Sequence, residues 1–291
     1  MNNLQTSLKA LFLLVLLAFW PLQSLAQEAP RIPNFWDPQE RFIKPNVKDM
    51  PRLRFLTTTD FPPFSFIDKD KRLAGFHVDL ARAICEELEV SPVCQIQALP
   101  FDQLQPALMG GKGDAVMGGM AVSEANRNDL IFSRPYFRLP ARFVGKAKAG
   151  LSEPLITALA SKSVGVVDGT AHAAFAKAKF GNMHLQLFET QEAALSALKE
   201  DKLSAVFADG LGLSFWLQTE QKRAFQAKKK PCCQFIGGPY LSETYFGGAL
   251  RIALGEGNEE LEQAINFALR SINDKGRFTE LYLRYFPISL Y

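Results

Sequence analysis

Histidine and tryptophan are scarce in this chain, with three of each among 291 residues, and neither sign of charge is in excess. The 33 basic residues face 30 acidic ones, leaving a net charge of +3 and a pI near 8.6. A nucleic-acid binder would carry a basic stripe and a higher pI, so that class is set aside. No histidine or second Cys pair lies at ligand spacing around Cys232 and Cys233, so no metal site is expected. The glycine and lysine spacing of a phosphate loop is missing, as is any nucleophile motif, so no cofactor is expected. Tyrosine is also sparse, at 6, against 24 phenylalanines. The rest is ordinary: 47% hydrophobic and 22% charged residues suffice for a sizeable core and argue against wholesale disorder. The length allows one large domain or two of ordinary size.

The first residues read as an export signal. Lys9 precedes an apolar run from Ala10 to Trp20, and Ser24-Leu25-Ala26 places small residues where signal peptidase needs them. Residues 1–26 are therefore expected to be removed before Gln27. The run is shorter than the ~20 apolar residues that span a bilayer, and no second candidate follows. Export permits disulfides. Cys85 falls in an amphipathic helix starting near Gly75, and chain reversal at Ser91-Pro92 brings Cys94 back toward it. Such a bridge would contribute about 2–3 kcal/mol. Cys232 and Cys233 are adjacent, with Cα atoms ~3.8 Å apart, below the usual disulfide range. A vicinal bridge, free thiols and other pairings all stay open.

Residues 27–50 are rich in proline and charge and read as an extended arm anchored by Phe35 and Trp36, or as a disordered leader. From Leu53 short apolar runs alternate with helix-period segments. The runs are Leu53 to Leu56, Val93 to Ile96, Ala115 to Met117, Val164 to Val167, His184 to Phe188 and Ala205 to Ala208. The helical segments are Phe76 to Leu88, Phe101 to Met109, Ala171 to Phe180, Glu192 to Glu200 and Leu211 to Thr219. This alternation predicts an α/β fold with largely parallel sheets. Glu259 to Phe286 reads as two helices divided near Gly276.

In open α/β sheets ligands sit beyond the carboxyl ends of the strands, which directs attention to four loops. Thr57 to Phe64 offers hydroxyls and two proline-stiffened phenylalanines, an aromatic wall or simply a turn with two core rings. Gly118-Gly119-Met120-Ala121-Val122-Ser123 exposes main-chain N–H groups, and Arg127 just beyond it suits a carboxylate clamp or an exposed, uncommitted cation. Asp168-Gly169-Thr170-Ala171-His172 opens a helix whose free N–H groups favour an anion. Asp209 ends a buried strand, where it either pairs with a ligand ammonium or caps the next helix.

Together these residues resemble the bacterial extracellular solute-binding proteins of family 3, whose best-known members bind polar amino acids for ABC importers. The resemblance runs from Leu53 to Pro287. It is carried by Leu53-Arg54-Phe55, Phe61-Pro62-Pro63-Phe64, the Gly75-Phe76-x-x-Asp79-Leu80 signature, Phe132-Ser133-x-Pro135-Tyr136, Val164-Gly165-Val166-x-x-Gly169-Thr170 and Gly276-x-Phe278-x-x-Leu281. It implies the type II periplasmic binding protein fold, two α/β lobes with two hinge strands and a cleft between them. On this chain lobe 1 would be residues 51–142 plus 247–291 and lobe 2 residues 143–246.

It also implies site roles. Phe61 and Phe101 would sandwich the ligand, Gly118 and Gly119 would offer main-chain contacts, Thr170 and Ala171 would hold a carboxylate, and Asp209 would take the ammonium. His172 would be a pH-sensitive contact or an ordinary helix histidine. The Cys85–Cys94 bridge is supported by members with a disulfide at that place. One loop departs: Ala121 stands where the family has a hydroxyl, and Asn126 where it has an arginine, with Arg127 one step later. An amino acid or an amine is the expected solute, an inner-membrane ABC permease the expected partner, and a periplasmic monomer the expected form. Two other readings remain. One is an enzyme using Asp209 and His172 on this scaffold. The other is an accessory factor of a periplasmic redox pathway.

Overall fold

The computed structural model describes residues 32, 39–47, 50–124, 126–147, 154–286 and 288–291. The expected leader at 1–26 and the arm's expected anchors Phe35 and Trp36 lie outside the described residues. The chain enters through β1 (Leu53–Thr57), a small hairpin sheet of β2 (Asp60–Phe61), β3 (Ser65–Ile67) and β4 (Leu73–Ala74), and helix α1 (Phe76–Glu87). It continues through β5 (Cys94–Ala98), α2 (Phe101–Met109), β6 (Ala115–Val116) and β7 (Leu130–Phe132). Next come β8 (Ala141–Lys146), α3 (Leu155–Ala158), β9 (Ser163–Val167), α4 (Ala171–Lys179), β10 (His184–Phe188) and α5 (Gln191–Lys199). Then follow β11 (Ala205–Asp209), α6 (Gly210–Gln226), β12 (Cys233–Tyr240) and α7 (Glu243–Phe246). The last elements are β13 (Ala253–Gly255), α8 (Glu259–Asp274) and α9 (Arg277–Tyr285), with Gly276 at φ 73° making the break between the two helices. No described helix is long and apolar enough to cross a membrane.

Two five-stranded sheets result, ordered β5-β1-β6-β13-β7 and β10-β9-β11-β8-β12. The expectation of largely parallel sheets needs correcting. β1 runs parallel to β5 and β6, and β9 parallel to β10 and β11, but β13 and β8 are antiparallel to both of their neighbours. Each antiparallel strand is the first that the chain lays into a sheet on arriving from the other, so it comes from the opposite end. The expected boundary after residue 142 also falls inside a strand: Ala141 and Arg142 already pair with Asp209 and Ala208 in the second sheet.

Phenylalanine explains how each sheet is packed. Around the first, Phe64, Phe76, Phe137, Phe278, Tyr282 and Phe286 are buried together, with Phe64 and Phe137 edge to face at 5.2 Å. Around the second, Phe143, Phe175, Phe180 and Phe207 do the same, with Phe143 4.6 Å from Phe207. Such pairs add about 0.5–1.5 kcal/mol beyond their area burial. Gly75 keys the first core to the Phe61–Phe64 loop: at φ 129° its missing Cβ would sit 2.3 Å from the Phe64 carbonyl oxygen. That close approach lets Phe76 and His77 donate their main-chain N–H groups to Pro63 and Phe64, docking α1 beneath the Phe61 loop.

Cys85 and Cys94 are bridged, tying α1 to the start of β5 as expected. Cys232 and Cys233 form a vicinal bridge. Between the sheets two segments run antiparallel, joined by the Phe137–Leu250 bridge and by Ser133 N–H donating to Ile252. Arg138 on one of them pairs with Glu243 on the other. The carboxyl-terminal residues make a third connection: Ile288 packs on the second sheet's core, whereas Leu290 is buried in the first.

Candidate functional site

The loops beyond the strand ends form two groups, one on each sheet. On the first, Met117 N–H donates to Leu56 and Thr57 Oγ1 donates to the Met117 carbonyl at 2.7 Å, so the loops after β1 and β6 are stitched side by side. Thr58 Oγ1 donates to Asp60, which fixes the approach to Phe61. Phe61 is half-buried and stacks on Phe64 at 4.7 Å. Gly119, at φ 82°, passes under its edge, where a Cβ would lie 2.9 Å from the ring. Gly118 has the same relation to Leu104. The glycine pair is therefore required by aromatic and aliphatic neighbours, and leaves its backbone beside Phe61.

Phe101 opens α2 with half its surface exposed. It borders a depression of about 560 Å³ shared with Asp102, Gln105, Met120, Ala121 and Asn126. The residues lining this depression include one carboxylate and no cation. Asn126 is buried, and both polar atoms of its amide are engaged within its own loop. Its Oδ1 accepts from Ser123 N–H and its Nδ2 donates to the Ala121 carbonyl, both at 2.9 Å. Arg127 is exposed, and among the described residues its guanidinium has no hydrogen-bond or ion-pair partner. The structure thus brings Phe101 and Ala121 to one depression, sets Gly119 against Phe61 and Gly118 against Leu104 in the adjoining loops, and leaves Arg127 outside the depression's lining.

On the second sheet, β9 and β11 are parallel neighbours, which sets the loops after them next to each other. Thr170 caps α4: its Oγ1 accepts from Ala173 N–H and donates to the Val167 carbonyl. The N–H groups of Ala171 and His172 belong to the helix's first turn, where no intrahelical acceptor exists. Asp209 caps α6, its Oδ2 accepting from Gly212 N–H at 2.7 Å, while its Oδ1 has no hydrogen bond among the described residues. Of the two roles read from sequence, the helix cap is the one the structure displays, and it uses one oxygen of the carboxylate. His172 lies flat on Phe246 at 4.9 Å, and burial lowers its pKa, with the Asp209 charge opposing the shift.

Among the described residues no hydrogen bond, ion pair or ring contact joins the two groups. Met120 lines the depression and Phe246 stacks on His172, and sequence reasoning singles out neither side chain. Phe246 is brought to His172 by the return segment after β12, and no local pattern reports such a long-range contact. The buried clasp made by Asn126 has a faint signal, a polar residue three positions after Ser123 in a loop.

With this geometry in place, comparisons with known proteins add the following. A family profile for bacterial extracellular solute-binding proteins, family 3, matches residues 53–288. The L-arginine-binding protein of Pseudomonas aeruginosa is 31% identical over 234 residues, which are 79% of this chain and 86% of that one. The lysine/arginine/ornithine-binding periplasmic protein of Escherichia coli is 26% identical, covering 82% of this chain and 89% of its own. Among solved structures, the L-cystine solute receptor of Neisseria gonorrhoeae has a TM-score of 0.66 at 19% identity, over 81% of this chain and 92% of that one. That likeness is one of fold.

Proposed function

The chain belongs to the bacterial extracellular solute-binding proteins, family 3, and on that footing we propose that it is a periplasmic receptor for a small cationic amino acid or related amine. Its partner is an inner-membrane ABC permease, and it works as a monomer exported by the signal at 1–26. The relatives are named as binding proteins, which gives no support to a reaction or to an accessory redox role. The observation that carries the choice of solute is electrostatic. One wall offers aromatic faces and Asp102 without a cation, and the other offers Asp209 with one oxygen unengaged. A ligand ammonium or guanidinium would meet that oxygen as the lobes close, while Phe61 and Phe101 cover its apolar part. Thr170, Ala171 and His172 would present first-turn N–H groups to a carboxylate, if the solute has one.

A second reading has its own support. Because the side chain of Asn126 is spent on Ala121 and Ser123, the first wall has no clamp for a carboxylate, which favours a decarboxylated amine over the parent amino acid. Titration calorimetry with L-arginine, L-ornithine, L-histidine and agmatine separates the two. In either case Asp209→Ala is expected to weaken binding at least ~30-fold, the effect of removing one partner of a buried charge pair. Asp209→Asn keeps an oxygen for the helix cap, so it is expected to lose binding while holding its melting temperature. Tight binding that survives both substitutions would remove Asp209 from the site.

A further inference from the structure

Beyond its first turn, α6 carries an exposed surface outside the candidate site. The helix buries Leu213, Ser214, Leu217 and Glu220. Phe215 and Lys222 lie on its opposite side and Phe225 at the edge of the buried face, the three within about 80° of one another on the helical wheel. Phe225 is 85% exposed and Phe215 38%. Lys228, Lys229 and Lys230 follow immediately, all exposed. The nearby carboxylates are already neutralised: Glu220 by Lys199 and Arg223, Glu200 by Lys202, and Asp201 by Lys146. No acidic residue occurs between Glu220 and Glu243. Lys222 and the three lysines after the helix make no ion pair among the described residues, so a chain that is nearly neutral overall concentrates uncompensated positive charge here. Lysine near a helix carboxyl terminus complements the helix dipole, but that does not account for a phenylalanine left in water among them.

From this juxtaposition we propose that the Phe215–Lys230 face docks on an anionic lipid surface. The phenyl rings enter the headgroup boundary and the lysines meet lipid phosphates, the arrangement by which amphipathic helices lie on membranes. Protein interfaces are enriched in phenylalanine, as in other aromatics, but depleted in lysine, and four uncompensated lysines beside an exposed ring fit an anionic lipid surface better than an acidic protein. Phe225, the most exposed residue of the face, lies about 24 Å along α6 from Asp209, and Phe215 about 9 Å. Docking there leaves the ligand walls clear.

Cosedimentation of the whole exported chain with phosphatidylglycerol-containing vesicles, and with phosphatidylcholine vesicles as reference, tests this without any solute. Binding to the acidic vesicles only, weakened by salt, is expected. Replacing Lys228, Lys229 and Lys230 together by Gln should lower partitioning about a hundredfold, and Phe225→Ser about tenfold. Phe225→Trp should show a blue-shifted emission on acidic vesicles, which reports insertion independently of those variants. Equal sedimentation with both vesicle types, or partitioning unchanged by both substitutions, overturns the proposal. Binding to polyglutamate without binding to acidic vesicles also overturns it, in favour of an acidic protein partner.

Discussion

His77 occupies the signature helix yet belongs to the core: it is buried, with Nε2 2.8 Å from the Tyr136 hydroxyl. Its Nδ1 has no partner in hydrogen-bond geometry. Burial pushes its pKa down from 6.5 to about 3, the Met117 main chain opposing the shift. The unfolded chain takes up this proton below about pH 6.5 and the folded chain not until about pH 3, so the group makes stability rise with pH across that window. The slope is about 1.4 kcal/mol per pH unit at most. Urea midpoints measured between pH 7 and pH 4 are expected to fall accordingly, and His77→Gln, which keeps a partner for Tyr136, to lose that part of the fall. An unchanged slope in the variant would assign the acid sensitivity elsewhere. Asp79, the acidic residue of the same signature, is also structural, accepting from Arg284, Tyr285 and Arg82. Residue types in a motif are legible from sequence, whereas their partners, more than 200 positions away for Arg284, are not.

At the scale of elements, α1 and β5 are joined twice, by packing and by the Cys85–Cys94 bridge. The nine-residue separation closes a short loop, for which chain entropy assigns about 2–3 kcal/mol. The Cys85→Ser, Cys94→Ser double variant is therefore expected to lose about that much in urea unfolding, and an unaltered midpoint would show that packing alone holds the corner. Helices with clear apolar periodicity, such as Phe101–Met109, were legible to the residue. Strands β7, β8, β12 and β13 were not. β7 and β13 are three residues long, β8 contains arginine and glycine, and β12 contains Gly237-Gly238-Pro239. Their pairing comes from neighbours in the sheet, which local propensity does not report.

For the whole molecule, the crossing segments and the carboxyl-terminal residues meet at one place. Arg142 is buried against the Phe235 ring and donates to the Leu290 carbonyl at 2.7 Å, while the Tyr291 hydroxyl donates to the Arg138 carbonyl. Burial lowers the Arg142 pKa. Two sheets linked by narrow segments are suited to hinge closure. Small-angle scattering is expected to show a smaller radius of gyration when L-arginine or agmatine saturates the protein. Saturation without contraction would mean that the solute is held by one lobe alone.

The alternation of β1, β5, β6, β9, β10 and β11 with their helices and the glycine stop at Gly276 were legible in local sequence, and the Cys85–Cys94 pairing was expected from it together with the family resemblance, because each depends on periodicity, backbone freedom or short loop closure. The family resemblance was legible there too, its motifs lying in order along the chain. Tertiary structure alone decided which strands run antiparallel, since this depends on the direction from which the chain re-enters a sheet. It also decided that Asn126 clasps its own loop and that Asp209 caps α6 with one oxygen of its carboxylate. A side chain has a fixed number of hydrogen-bonding atoms, and only the fold determines which neighbours occupy them.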